Sequence, residues 1–206
     1  MIKWILEYKK KGKGEKSMKK WMYILLLLTV ILSACSSQAT QNESGIKRIE
    51  DISLKQLSKH KGTYLGDNSA VHQILLDLPG GAIREFEIID GKALDVTYGI
   101  KEDANYTEEQ FDAFWFDEKD TIEKTYLYNA IALFILINNV EQVTLKMNSN
   151  DEPSVTFKRK QLEKKLPHPF KKYKDDAALW QKELVDGVVR SKEKRQDVYR
   201  AFPMQK

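Results

Sequence analysis

The sequence predicts an α+β domain with a four-stranded antiparallel sheet, in which two hairpins flank one long buried helix, and with additional N- and C-terminal helices. Three observations predict this fold. An Asp-Gly pair at 90–91 separates two apolar runs, which is a signal for a hairpin. Residues 117–140 carry a helical stripe and become apolar on every side over 130–137, as in a helix buried in a core. A second pair of strand-like runs, 143–147 and 154–157, follows that helix.

Two helices are predicted before the first hairpin. Residues 52–57 suggest a short helix that ends near Gly62. The next helix follows a turn, with Asp67 or Asn68 as its N-cap, and Pro-Gly-Gly at 79–81 ends it. Its core face is predicted by apolar residues at i, i+3, i+4 and i+7: Val71, Ile74, Leu75 and Leu78.

The long helix and the segments after the sheet complete the predicted domain. Asp120 and Glu123, three residues apart, resemble a capping box at the start of the long helix. A basic helix is predicted over 158–166. These patterns place an α+β domain at 52–166 and a C-terminal helical extension at 167–206. The extension contains a last amphipathic helix marked by Ala177, Trp180, Leu184 and Val188.

The N-terminal region reads as the signal of a bacterial lipoprotein. A basic start at Met18 precedes an apolar run of about 12 residues, against roughly 20 needed to span a bilayer, and such a run is typical of a secretory signal. It ends in Leu32-Ser33-Ala34-Cys35, which resembles a lipobox. Leu32, Ser33 and Ala34 are then recognised by the signal peptidase, and the Cys35 thiolate is the nucleophile that receives the lipid. We therefore predict a signal peptide over 1–34, with 1–17 as a wrongly assigned start, and a lipidated tether over 35–51.

This assignment predicts a location on the outer face of the cytoplasmic membrane, held by the lipid. Residues 1–34 contain eight lysines and two glutamates, so the rest of the chain has 26 basic and 28 acidic residues. A slightly acidic domain at this location is not expected to bind nucleic acid. Cys35 is the only cysteine, so disulfides within the chain and cysteine metal sites are excluded.

Several motifs together resemble a known family. The segment KGTYLGDNS at 61–69 precedes an apolar helix that ends at Leu78-Pro79, and Val96-Thr97-Tyr98 lies in the strand pair that follows. The long helix ends in INNV at 137–140, and the last hairpin closes on FKRKQL at 157–162. This order resembles the domain of unknown function family 4825 of Bacillota lipoproteins and membrane proteins, over 52–166. Relatives that accompany antibiotic-sensing membrane peptidase modules imply a sensory or regulatory role, and the resemblance implies no catalytic residue.

Two segments are candidate binding sites. Residues 158–174 hold eight bases and one acid, and Lys158, Arg159, Lys160, Lys164 and Lys165 are candidates for contact with an anionic surface of lipid or wall polymer. A solvated charged face is the alternative. Tyr64, Gly66, Asp67 and Asn68 form a candidate ligand loop at the start of a helix, with a turn and cap of purely structural role as the alternative.

The sequence does not decide the roles of the acidic and aromatic segment or of the three histidines. Residues 102–123 hold nine acids and one base. The aromatic residues inside this segment belong to the core if they lie on a helix, and form an interaction site if they are exposed: Phe111, Phe114, Trp115 and Phe116. His60, His72 and His168 have no zinc-binding spacing, and we expect scattered solvent-exposed histidines.

The sequence therefore favours a lipid-anchored binding or sensing module, without metal or cofactor. Its expected partners are the membrane, through the lipid, and an envelope protein or an anionic surface polymer. The alternative is an envelope hydrolase whose carboxylates and histidines converge only in the fold, because acids are abundant in the chain. A deep polar pocket lined by such groups would distinguish the two.

Overall fold

A computed structural model of the chain describes residues 46–102, 104–116, 120–148 and 153–205. The predicted signal peptide, its recognition residues Leu32, Ser33 and Ala34, and the lipidation residue Cys35 lie outside the described residues. Within the described part of the chain, no helix combines the length and the apolarity needed to cross a bilayer.

Short helical segments precede the sheet, and their positions agree with the predicted pattern. The Asp67 carboxylate caps α2 by accepting a hydrogen bond from Ala70 N at 3.0 Å. The apolar face of α2, Val71 to Leu78, is buried in the core. The elements are two 3₁₀ turns, Ile49–Asp51 and Ser58–His60, with α1 (Leu54–Leu57) and α2 (Asn68–Asp77).

Strands β1 (Ile83–Ile89) and β2 (Ala93–Tyr98) pair in antiparallel fashion. The turn between them has positive φ at both central residues, 51° at Asp90 and 63° at Gly91. Such a turn matches the right-handed twist of paired strands, and Asp-Gly tolerates the left-handed conformation that it requires.

Helix α3 (Glu108–Trp115) follows β2 and carries three of the four candidate aromatic residues of the acidic segment. The Thr107 hydroxyl accepts a hydrogen bond from Gln110 N at 3.2 Å and starts the helix. Phe111, Phe114 and Trp115 are buried, so the core interpretation of these three is confirmed.

Helix α4 (Thr121–Leu136) is the centre of the molecule. Each residue from Ala130 to Ile137 is at most 2% exposed, as the all-round apolar pattern predicted. One side of α4 packs on β3, and other sides pack on α3 and on C-terminal helices. The helix is therefore a middle layer rather than a cover on an otherwise open sheet.

The four strands are present, but the expectation of a purely antiparallel sheet was wrong. Strand β3 (Gln142–Met147) lies beside β2 and runs parallel to it, while β4 (Val155–Lys158) pairs antiparallel with β3 in the order β1-β2-β3-β4. The cause is α4, whose 16 residues span about 24 Å. It returns the chain to the end of the sheet where β2 began, so the next strand runs in the same direction.

The C-terminal region adds a layer of helices whose details differ from expectation. The predicted basic helix over 158–166 is only five residues long. The amphipathic helix predicted near the C-terminus is largely a π-helix, in which Trp180, Leu184 and Val188 are buried. A further helix follows it. These elements are α5 (Arg159–Glu163), α6 (Phe170–Asp175), α7 (Ala177–Leu179), the π-helix Trp180–Val189 and α8 (Lys192–Ala201).

Arg195 of α8 connects the layer of C-terminal helices to the start of α4 through ion pairs. Its side chain is 1% exposed and pairs with Asp120 and with Glu123, the latter at 3.2 Å. Asp120 makes no side-chain hydrogen bond to the helix N-terminus, so the predicted capping box was wrong. The Arg195 guanidinium pairs with both carboxylates instead, because a buried charge must be paired with groups of opposite charge.

Candidate functional site

A groove lies at the end of the sheet where β2 and β3 begin and β4 ends. Its volume is about 980 Å³. The turn between β1 and β2 forms one wall, and the start of α5 forms another. We call it the basic groove, and its lining consists of residues 89–93, 138–139, 141–142 and 158–161.

The charge of the basic groove is predominantly positive. Lys92 lies 3.5 Å from Glu141, but both side chains are about two-thirds exposed (66% and 65%), so solvent weakens this pair. Lys158 and Lys160 are exposed, and no other described residue forms an ion pair with either of them. Their ammonium groups are therefore available to an anionic ligand.

Arg159 is held rigidly in the groove wall. Its Nε donates a hydrogen bond to Val140 O and its Nη2 donates one to Ile137 O, each at 2.6 Å. The guanidinium also lies over the rings of Phe134 and Phe170, at 5.1 and 5.7 Å. These carbonyls follow the C-terminus of α4, where a cation is favoured by the helix dipole.

The positive charge of Arg159 is only partly compensated. Burial lowers the pKa of Arg159, and the more distant carboxylates of Glu163 and Glu141 oppose that shift. No described carboxylate lies within ion-pair distance of its guanidinium. Since an arginine side chain stays protonated in proteins, the wall carries a fixed cation that an anion in the groove would stabilise.

Asn138 and Asn139 hold the segments around the groove together. Asn139 Nδ2 donates to Gly91 O at 3.0 Å, while its Oδ1 accepts from Leu65 N at 2.8 Å. Asn138 Oδ1 accepts from Lys174 Nζ at 2.7 Å. The sequence predicted these asparagines only as the end of a helix, because their hydrogen-bond partners are distant in the chain.

The structure brings some of the predicted site residues together and separates others. Lys158, Arg159 and Lys160 line the groove, whereas Lys165 pairs with Asp197 at 3.2 Å. Lys164 is exposed outside the lining.

The candidate ligand loop adjoins this region through the Leu65–Asn139 hydrogen bond. Its Tyr64 is 58% exposed, and its Asp67 carboxylate caps α2. Gly66 and Asn68 are exposed. No contact of this loop identifies a ligand, and its role as a binding site stays a prediction.

The three histidines lie in separate places. His60 Nε2 is 3.0 Å from Asp77 Oδ2 and its side chain is only 19% exposed, so this histidine was wrongly expected to be solvent-exposed. His72 stacks on Phe86 with 5.8 Å between ring centroids, and His168 Nε2 is 3.6 Å from Glu183. Across the described ranges, no group of three His, Cys, Asp or Glu side chains is arranged to hold a metal ion.

Comparison with known protein families identifies a match to this chain. The family model described as "Domain of unknown function (DUF4825)" matches residues 57–160. No curated protein and no solved structure matches the chain. The matched range contains the whole sheet, α4 and the start of α5, including Lys158, Arg159 and Lys160 of the groove.

Proposed function

Since the chain belongs to the DUF4825 family, which has no assigned function, we propose from its geometry that it is a lipid-anchored, extracytoplasmic binding module for an anionic polymer of the cell envelope. The polymer would bind in the basic groove. The observation that carries this proposal is the fixed Arg159 flanked by Lys158 and Lys160, which have no ion-pair partner among the described residues. Such an arrangement is suited to repeated negative charges.

The first described residues lie far from the basic groove. Arg48 packs over Phe114 at 5.7 Å and shares a hollow with Thr121 at the start of α4. The basic groove is at the other end of α4, beyond Ile137. The first described residues and the basic groove therefore lie at opposite ends of α4.

The groove proposal predicts binding of a polyanion. Full-length lipidated protein in detergent micelles is expected to bind inorganic polyphosphate, and the double substitution Lys158→Glu with Lys160→Glu should weaken binding at least about tenfold, or about 1.4 kcal/mol. Reversing both charges replaces attraction by repulsion beside the fixed arginine. Binding measured by calorimetry should also weaken with added salt, because exposed charges are screened.

A matched control makes this test specific. Lys192→Glu with Lys194→Glu changes the net charge equally, on α8, and neither residue lines the groove. This control is expected to bind like the wild type. Equal loss of binding in both double variants, or no binding by the wild type, would contradict the proposal.

The anchor is tested separately at Cys35. Cells that express Cys35→Ser are expected to incorporate no labelled palmitate into the protein and to retain the unprocessed precursor, because serine lacks the thiolate that accepts the lipid. Ser36→Ala is the control and should be labelled normally. Recovery of unlabelled, full-length wild-type protein from the cytosol would refute the predicted location.

A further inference from the structure

The molecule has an acidic end opposite the basic groove. Strands β2 and β3 run in parallel from the groove to this end, a distance of roughly 17 Å at about 3.3 Å per residue. There, α3 carries the exposed carboxylates of Glu108, Glu109 and Asp112. A hollow of about 330 Å³ lies beside them and is lined in part by Glu108, Asp112 and Phe116, with Arg84 as the cation of its lining.

Each end also carries an exposed apolar side chain. Phe116 is 44% exposed at the acidic end, and Ile89 is 37% exposed in the lining of the basic groove. Single exposed apolar residues are common on protein surfaces, so these two side chains only add apolar contact to an interface that charge defines. The two ends are therefore complementary in charge, and each offers an apolar group to the other.

We infer that the acidic end of one copy docks into the basic groove of the next copy. In this head-to-tail contact, Glu108 and Asp112 would approach Lys158 and Lys160, and Phe116 would pack on Ile89. A two-fold contact between like ends is disfavoured, because it would place carboxylates against carboxylates or ammonium groups against each other.

A head-to-tail contact closes into a ring or continues as an open row, depending on the rotation between neighbouring copies. Because the two surfaces lie at opposite ends of β2 and β3, we expect open rows of molecules. A common lipid anchor would raise the effective concentration of the copies at the membrane. The inference rests on the proposed function in one respect, since both require the basic groove to accept anions. It adds that a polyanion and a neighbouring copy compete for the same groove.

Charge reversal at the two ends tests this contact. Sedimentation velocity of full-length lipidated protein in micelles should show association that rises with protein concentration and falls with added salt. The acidic-end variant, Glu108→Lys with Asp112→Lys, and the groove variant, Lys158→Glu with Lys160→Glu, should each associate at least about tenfold more weakly than the wild type, because like charges then meet.

Mixing the two variants provides the decisive measurement. Each mixed contact joins opposite charges, so the mixture is expected to associate more strongly than either variant alone. This recovery also shows that both variants are folded. Phe116→Ser is expected to weaken association of the wild type without a change in charge.

The results separate this inference from the proposed function. Polyphosphate binding without any self-association, or association of the acidic-end variant as strong as that of the wild type, would overturn the inference and leave the groove proposal intact. If neither polyphosphate nor a second copy binds, both fail. Dissociation of the rows by polyphosphate is the result expected when both hold.

Discussion

Replacement of Gly80 by alanine is expected to lower the free energy of unfolding by about 2–5 kcal/mol, combining a left-handed backbone penalty with overpacking. Gly80 has a φ of +85°, and a Cβ built there would lie 2.6 Å from Trp115 Cζ2 and 3.2 Å from Thr125 Cγ2. Equilibrium unfolding in urea, followed by Trp fluorescence, measures the change.

The clash at Gly80 cannot be relieved easily, because Trp115 is enclosed by other rings. Its side chain is 0% exposed, and its ring centroid lies 4.8 Å from that of Tyr98 and 5.9 Å from that of Tyr126. Gly81→Ala is the matched control: a Cβ there meets no atom within 4 Å and the backbone has no positive φ. A loss below about 1 kcal/mol is expected for Gly81→Ala, and an equal loss at both glycines would refute the packing explanation.

Replacement of Arg195 by alanine is expected to cost about 3–5 kcal/mol, because it removes one partner of a buried ionic network. The guanidinium is 1% exposed, joins Asp120 and Glu123, and donates to Val189 O at 2.7 Å. Without it, the C-terminal layer loses its ionic connection to α4. Arg200 on the same helix is 70% exposed and, among the described residues, pairs only with Asp197, so Arg200→Ala should change stability by no more than about 0.5 kcal/mol.

The same network gives the protein a sensitivity to acid. Burial tends to raise the pKa of Asp120, but the hydrogen bond from Lys124 and the charges of Arg195 and Lys124 outweigh it, so the pKa is lowered. The stabilisation from a lowered carboxyl pKa is complete above the unfolded value of about 4 and is lost as pH falls through the folded value. The Arg195→Ala variant should therefore lose less stability than the wild type between pH 5 and pH 3, and a loss as large as that of the wild type would contradict this origin.

Local patterns located most elements of the fold. The Asp90-Gly91 turn, the Asp67 cap and the apolar belt at 130–137 were predicted because their causes lie within a few neighbouring residues: backbone conformation, a hydrogen bond across one helical turn and helical periodicity. Helix α8 (Lys192–Ala201) was missed because its core-facing side includes the buried Arg195, which a search for apolar periodicity does not detect.

The candidate site was predicted only in part. The high density of basic residues over 158–174 predicted Lys158, Arg159 and Lys160 as site residues, and all three line the groove. Charge density did not distinguish Arg159, which is bound to the carbonyls of Ile137 and Val140, from its solvated neighbours. That difference depends on where the C-terminus of α4 lies in space.

The residue sequence was sufficient to establish the α+β class, the four strands and the family, because these follow from local propensity, periodicity and the order of motifs. Tertiary structure decided the parallel pairing of β2 with β3 and brought residues 89–93 and 158–161 together in one groove. It also decided that Asp120 pairs with Arg195 instead of capping its own helix. The physical reason is the same in each case. Contacts between distant segments depend on how α4 crosses the sheet, and the direction of that crossing is set by the packing of the whole core.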